Sequence, residues 1–285
     1  MRQALLALLL LLLSALPARA AAAEGELLRL PGPDGSELLT RLCRPDSPDP
    51  APLLLLNHGA QPRAELRAAL EPFPCDAEPI RWFLARGFAV AAPLRRGYGG
   101  SSGAFVESFG PCEDPDYLRV GRETARDIRA ALAALLGSPG ILPDGAVVLG
   151  ESAGGWGSIA LAAEGVPGVV GIINVAGGRG GWAGGRARNN CAPDRLVEAM
   201  SEFGRTARLP MLWLYAANDS YFWPALAAQL FDRFVAEGGI AEMAMFRTVP
   251  GDGHYFFFAE GASALWGPRV ELFLASLMPA RTAAR

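Results

Sequence analysis

The stretch Ala146-Val147-Val148-Leu149-Gly150-Glu151-Ser152-Ala153-Gly154-Gly155-Trp156-Gly157-Ser158-Ile159-Ala160 decides the fold. Its first four residues are apolar without alternation, the pattern of a strand covered on both faces. The small residues from Gly155 to Ala163 can form a helix that packs closely on its neighbours. Between strand and helix stands Gly150-Glu151-Ser152-Ala153-Gly154, a G-x-S-x-G turn that exposes a serine at the end of the strand. The glycines have a steric role, since a side chain at 150 or 154 would collide across so sharp a turn. As a bare pattern the motif is weak; its strand–turn–helix setting makes it specific.

A serine hydroxyl is a poor nucleophile at neutral pH and needs a base, most often histidine. The chain has two histidines, His58 before Ser152 and His254 after it. His254 closes Pro250-Gly251-Asp252-Gly253-His254, a loop after the last expected strand, from which a base can swing over the turn. An acid between them would fix the imidazole tautomer and stabilise the imidazolium. Asp219 is that candidate, because Met211 to Tyr215 reads as a strand and Ala216-Ala217-Asn218-Asp219 as the turn leaving it. The order Ser152, Asp219, His254 suits this chemistry. Asp252 is the rival, only two residues from the histidine and poorly placed to orient its ring.

Asn57-His58-Gly59-Ala60 ends a run of four leucines. A loop there can supply an oxyanion donor, so the N–H groups of Ala60 and Ala153 are the expected pair, with Gln61 as runner-up. His58 is expected to shape this loop and not to titrate in the reaction. Strands are expected at 27–30, 38–42, 52–57, 88–92, 146–149, 169–175, 211–215 and 241–249, the first two joined as a hairpin through Pro-Gly-Pro-Asp-Gly. Helical stripes lie between the later strands: Ile128, Leu132 and Leu135; Leu226, Leu230, Phe231, Phe234 and Val235; Val270, Phe273, Leu274 and Leu277. Strands alternating with helices imply a mostly parallel eight-stranded α/β sheet with helices on both faces.

The strand order, His58-Gly59, the Gly150 to Gly155 turn, Asp219 and His254 together resemble the α/β-hydrolase fold, in its dienelactone-hydrolase-like and prolyl-oligopeptidase-like branch. The resemblance runs from about Leu27 to Leu277. It implies a serine hydrolase working through an acyl-enzyme, with no metal or organic cofactor. The chain departs from the pattern too: dienelactone hydrolase has a cysteine nucleophile and is cytosolic, and prolyl oligopeptidases carry a propeller domain. Neither substrate is therefore inherited by name. Cleavage of a small carboxylic ester or lactone is the expected activity, a peptidase or amidase is the alternative, and a catalytically inactive binding protein is the reading from another class.

Composition excludes other chemistries. All 26 basic residues are arginine, so Schiff-base and P-loop lysines are absent. A net charge of −3 argues against nucleic acid as a partner. Residues 1–20 read as an export signal, with Arg2, an apolar run from Leu5 to Leu13 and a small-x-small site at Ala18-Arg19-Ala20. That run is shorter than the ~20 residues of a membrane span, so no stable insertion is expected after cleavage. Without Arg2 and Arg19, 24 basic residues face 29 acidic ones, near −5. The domain would then occupy 21–285, in the periplasm or outside the cell. Export makes Cys43, Cys75, Cys112 and Cys191 disulfide candidates with three possible pairings, of which Cys112 with Cys191 would staple two long irregular loops.

Those loops, 99–116 and 177–208, exceed a minimal sheet-and-helix core. The second is expected to be a small lid-like insertion. Arg179 is a candidate for binding a carboxylate or hydroxyl-rich part of the substrate, with Trp182, Tyr221, Phe222 and Trp223 as an aromatic wall. The alternative is a lid with solvated arginines. Arg95-Arg96-Gly97-Tyr98 reads as a loop supporting the site. Nothing in the sequence fixes an oligomeric state.

Overall fold

A computed structural model describes residues 24–278. The expected leader and its cleavage site lie outside the described residues. Eight strands form one sheet in the order β1-β2-β4-β3-β5-β6-β7-β8, comprising β1 Glu26–Pro31, β2 Glu37–Cys43, β3 Leu53–Asn57, β4 Ala89–Pro93, β5 Ala146–Glu151, β6 Val169–Val175, β7 Met211–Ala216 and β8 Ala241–Phe246. The hairpin β1–β2 is antiparallel, β2 is antiparallel to β4, and the remaining pairs are parallel. All of β3, β5 and β7 is buried, which is why those strands are apolar except at the C-terminal ends of β3 and β5, where Asn57 and Glu151 stand at the site edge of the sheet. β8, expected to reach Val249, stops at Phe246 and has no fully buried position, as suits an edge strand.

The helices are α1 Ala64–Ala68, α2 Glu78–Leu84, α3 Tyr117–Leu135, α4 Ala153–Glu164, α5 Pro193–Thr206, α6 Pro224–Ala236 and α7 Ser263–Leu277. Two close approaches fix which face each covers. A Cβ at Gly171 of β6 would meet Leu277 of α7, while one at Gly155 of α4 would meet Asn174 of the same strand. Positions 171 and 174 point to opposite faces of a strand, so α4 and α7 sandwich the sheet. The small residues of α4 let α3 press in so closely that a Cβ at Gly157 would fall 2.1 Å from Thr124. On α6, Leu226, Leu230 and Phe234 are buried as expected, but Val235 faces solvent.

One expectation about the long loops changes, and one is met. Within the second, Pro193–Thr206 is a regular crossover helix with proline in its first turn, which leaves 177–192 as the long irregular part. Both loops are tied to one another by a Cys112–Cys191 disulfide, and Cys43–Cys75 joins the end of β2 to the segment before α2.

Candidate active site

The sheet order reverses at β3, whose neighbours are β4 and β5, so the C-terminal ends of β3 and β5 open onto a shared crevice. Register pairs Asn57 with Gly150, which sets His58-Gly59-Ala60 beside Glu151-Ser152-Ala153. Ser152 has φ 53° and ψ −116°, a conformation an L-residue holds only when its surroundings force it. The forcing is visible in the flanking glycines. A Cβ at Gly150 would lie 2.3 Å from the carbonyl of Gly154, and one at Gly154 would lie 2.4 Å from the carbonyl oxygen of Asn57. The Ser152 N–H donates to Val175 O at 2.9 Å, anchoring the turn to β6. Ala153 begins α4, so its N–H has no acceptor inside the helix.

The turn after β7 and the loop after β8 meet over this serine. Asp219 Oδ1 accepts from the N–H groups of Tyr221 and Phe222 at 2.7 and 2.9 Å. Both its oxygens face His254 Nδ1, at 3.2 and 3.1 Å. Tyr221 stacks on the imidazole with 4.0 Å between centroids. Burial disfavours the charged ring, but the hydrogen bond to Asp219 and the carboxylates of Glu151 and Asp219 outweigh it and raise the His254 pKa. The ring therefore has its Nδ1 side committed to the acid and its Nε2 side toward the crevice.

Asp252 has a different place from the one a rival acid would need. Its Oδ1 accepts from the N–H groups of Ser220 and His254, at 3.1 and 3.0 Å, and its Oδ2 from the Ser220 hydroxyl. It thereby caps the histidine turn and ties it to the acid turn. Asn218 reinforces the same junction, donating from Nδ2 to Val249 O and Gly251 O and accepting the Val249 N–H.

His58 is buried and structural. Its Nε2 accepts the Arg95 N–H at 3.2 Å, which leaves the proton on Nδ1, 2.7 Å from Gly59 O. Burial and the nearby Arg95 charge lower its pKa to about 3, so it stays neutral at physiological pH. The Arg95 guanidinium donates to the carbonyls of His58 and Gly59 and pairs with Glu107. Pinning those carbonyls inward fixes the backbone of the loop that carries Ala60.

Arg179 does not meet the crevice, contrary to the sequence expectation. Its guanidinium is buried, 2.6 Å from Glu107 and 3.1 Å from the Thr124 hydroxyl. Glu107 also accepts from the Tyr98 hydroxyl at 3.1 Å. Burial alone would raise the Glu107 carboxyl, but Arg95 and Arg179 hold it well below the ordinary carboxylate range. One carboxylate is thus shared as counter-ion by two arginines beneath the site, a pairing that needs the 99–116 loop to fold over β4 and is invisible in local sequence.

The crevice itself has a volume of about 300 Å³ and is lined by Ser152, His254, Ala60, Gln61, Tyr221 and Glu151 together with Leu70, Phe73, Tyr255 and Phe258. Of the expected aromatic wall, only Tyr221 lines it. Phe222 is buried behind the histidine, Trp182 stands on the exposed rim with its indole N–H on the Ser220 hydroxyl, and Trp223 precedes α6. The residues that replace them are Phe73, stacked on Phe258 at 4.7 Å, and Tyr255, whose hydroxyl lies 2.9 Å from that of Tyr221. A larger cavity of about 520 Å³ between Asp114, Tyr117, Arg195 and Glu202 contains none of these groups.

A mostly parallel eight-stranded sheet of this order, with a serine on the strained turn after β5, is the architecture of serine hydrolases with the α/β-hydrolase fold. Residues 34–200, more than half of the chain, match the model of the X-Pro dipeptidyl-peptidase family, and the chain belongs to this S15 family. The matched stretch includes Ser152 and ends before Asp219 and His254. Comparison with curated protein sequences finds no match. Among solved structures, an esterase of Pyrococcus furiosus superposes with a TM-score of 0.62 at 15% identity, covering 91% of this chain and 95% of the esterase. Dipeptidyl peptidase 4 of Porphyromonas gingivalis gives 0.63 at 16% identity, covering 88% of this chain and 35% of that one. The acylaminoacyl peptidase of Pyrococcus horikoshii gives 0.63 at 16%, covering 88% and 40%.

Proposed function

We propose that the protein is an exported serine hydrolase that cleaves carboxylic esters through an acyl-enzyme on Ser152. The observation that carries this reading is the single crevice holding Ser152 on its strained turn and His254 backed by Asp219. His254 Nε2 takes the Ser152 hydroxyl proton as Oγ attacks the ester carbonyl carbon. The N–H groups of Ala60 and Ala153 receive the negative oxygen of the tetrahedral intermediate. Collapse of that intermediate breaks the bond to the leaving alkoxide, which leaves as the alcohol with the proton from His254. Water repeats the sequence on the acyl-enzyme and releases the acid. Asp219 orients the ring and offsets its positive charge throughout.

The S15 membership favours a second reading, in which the leaving group is an amine and the bond a peptide. The two readings share every step to the acyl-enzyme, and an amide makes the harder demand on the proton delivered by His254. An activated ester is therefore a substrate under both, whereas an Xaa-Pro anilide is a substrate only under the second. The two disulfides support export, since an oxidising compartment lets such bonds persist.

The test is labelling of Ser152 by a fluorophosphonate, under competition from matched esters, lactones and peptides, alongside turnover of p-nitrophenyl esters. Ser152→Ala is expected to remain folded and to lose both labelling and turnover. Retained turnover in that variant would refute the assignment, and competition by Xaa-Pro peptides together with turnover of an Xaa-Pro anilide would replace it with the peptidase reading.

A further inference from the structure

The crevice contains a carboxylate that the proposed mechanism leaves unused. Glu151 is 7% exposed, lines the crevice and precedes the nucleophile, so the strained turn that fixes Ser152 fixes it as well. Its Oε1 lies 3.6 Å from His254 Nε2, on the side of the ring opposite Asp219. Its Oε2 lies so near the oxyanion loop that a Cβ at Gly59 would come within 2.4 Å of it. The nearest arginines are committed elsewhere: Arg95 to Glu107 and the carbonyls of His58 and Gly59, Arg179 to Glu107 and Thr124.

Taking His254 as the general base of the proposed function, we infer that Glu151 is a positioning residue for it, holding a proton between its own carboxyl and Nε2 and so setting the lower pH limit of activity. A bare carboxylate and an imidazole lone pair facing each other across 3.6 Å repel. As pH falls, a proton is therefore taken up between them, either on the ring as imidazolium facing carboxylate or on Glu151 as acid facing imidazole. Nε2 accepts the Ser152 proton only after that proton has left. The lower limb of the pH–rate profile then belongs to the Asp219–His254–Glu151 group as a whole and not to a lone histidine.

The other groups around the ring do not replace this role. Asp219 holds Nδ1; Asp252, on the histidine's own loop, is occupied by Ser220 and the His254 N–H. Tyr221 and Tyr255 present ring faces and edges, and His58, across the crevice on the loop after β3, stays neutral. In the same direction, burial raises the Glu151 carboxyl against the opposing pull of His254, and Glu151 in turn helps raise His254.

The test is the pH dependence of kcat/KM for matched neutral and cationic p-nitrophenyl esters, and of the fluorophosphonate labelling rate, in wild type, Glu151→Gln and Glu151→Asp. Gln has the same shape and no charge, so the acid limb of both profiles is expected to move down by about one pH unit, the scale of an opposite charge a few ångströms away. Asp keeps the charge at greater distance and is expected to give an intermediate midpoint; it also serves if the Gln variant fails to fold. A uniform fall in rate with the limb unmoved would overturn the proposal in favour of a packing role. An unmoved limb with loss confined to cationic esters would overturn it in favour of substrate binding. His254→Ala separates the two levels: if it labels as fast as wild type, the reading of His254 as base fails; if it is inactive while the limb stays put in Glu151→Gln, only the present inference fails.

Discussion

Replacing Glu107 with Gln removes the carboxylate that two buried arginines share. In the native protein Arg95 and Arg179 are 1% and 5% exposed, and both point at this one side chain. Arg95 would keep its bonds to the carbonyls of His58 and Gly59, and Arg179 its bond to Thr124, but neither would have a counter-charge. Removing one partner of a buried ion pair costs about 3–5 kcal/mol, because the charge left behind remains out of water. In a domain of this size each kcal/mol lowers the midpoint of thermal unfolding by about 2–4 °C, so a fall of roughly 10 °C at pH 7 is expected. The pH dependence follows from the depressed native pKa of Glu107. Its contribution is complete above the unfolded-state value of about 4.3 and is lost as pH falls toward the native value, so wild type should approach the variant in acid. Circular dichroism melts at pH 7 and through the acid range read both effects. Equal midpoints at pH 7, or a gap that persists unchanged in acid, would refute the idea that this carboxylate holds the two arginines beneath the loop after β3.

Two further outcomes can be checked independently. Arg179→Ala should reduce hydrolysis of matched acidic and neutral aryl esters equally and lower thermal stability, because its guanidinium is engaged with Glu107 and Thr124; a loss confined to the acidic ester would restore the carboxylate-binding role first suggested by the sequence. Replacing Cys112 and Cys191 by Ser removes a cross-link spanning 79 positions, worth up to about 4–5 kcal/mol by chain entropy, and urea unfolding with an unchanged midpoint would show that the two loops hold together without it.

The parts of this protein legible in the sequence are those dictated by neighbouring residues. The elbow could be read because strand, glycines and serine adjoin, and the strands of the parallel sheet because burial on both faces makes their central residues apolar without alternation. Asp219 and His254 could be located as strand-end candidates, and the structure sets them within hydrogen-bonding distance. The substrate side was harder, because it depends on which way long loops fold. Arg179 looks solvated in a Gly-rich stretch until Glu107, 72 residues away, neutralises it. Phe73 and Phe258 lie in unremarked segments and form one wall only through tertiary contact. Glu151 was in plain view as a variable position of the motif, and only the fold shows that its carboxyl turns back toward the histidine.

The loop between β6 and α5 has a consequence for how the chain would survive being cut. Its base is closed by the bridge between Gly181 and Asn190 and by the Cys191 N–H on Gly180 O, while Arg186 and Arg188 project into solvent at its tip. Trypsin acting there would leave Ser152 on one fragment and Asp219 with His254 on the other. Cys112 belongs to the first fragment and Cys191 to the second, so the nicked protein would migrate as two pieces only after reduction, and Ser152 would remain covalently joined to the piece carrying His254.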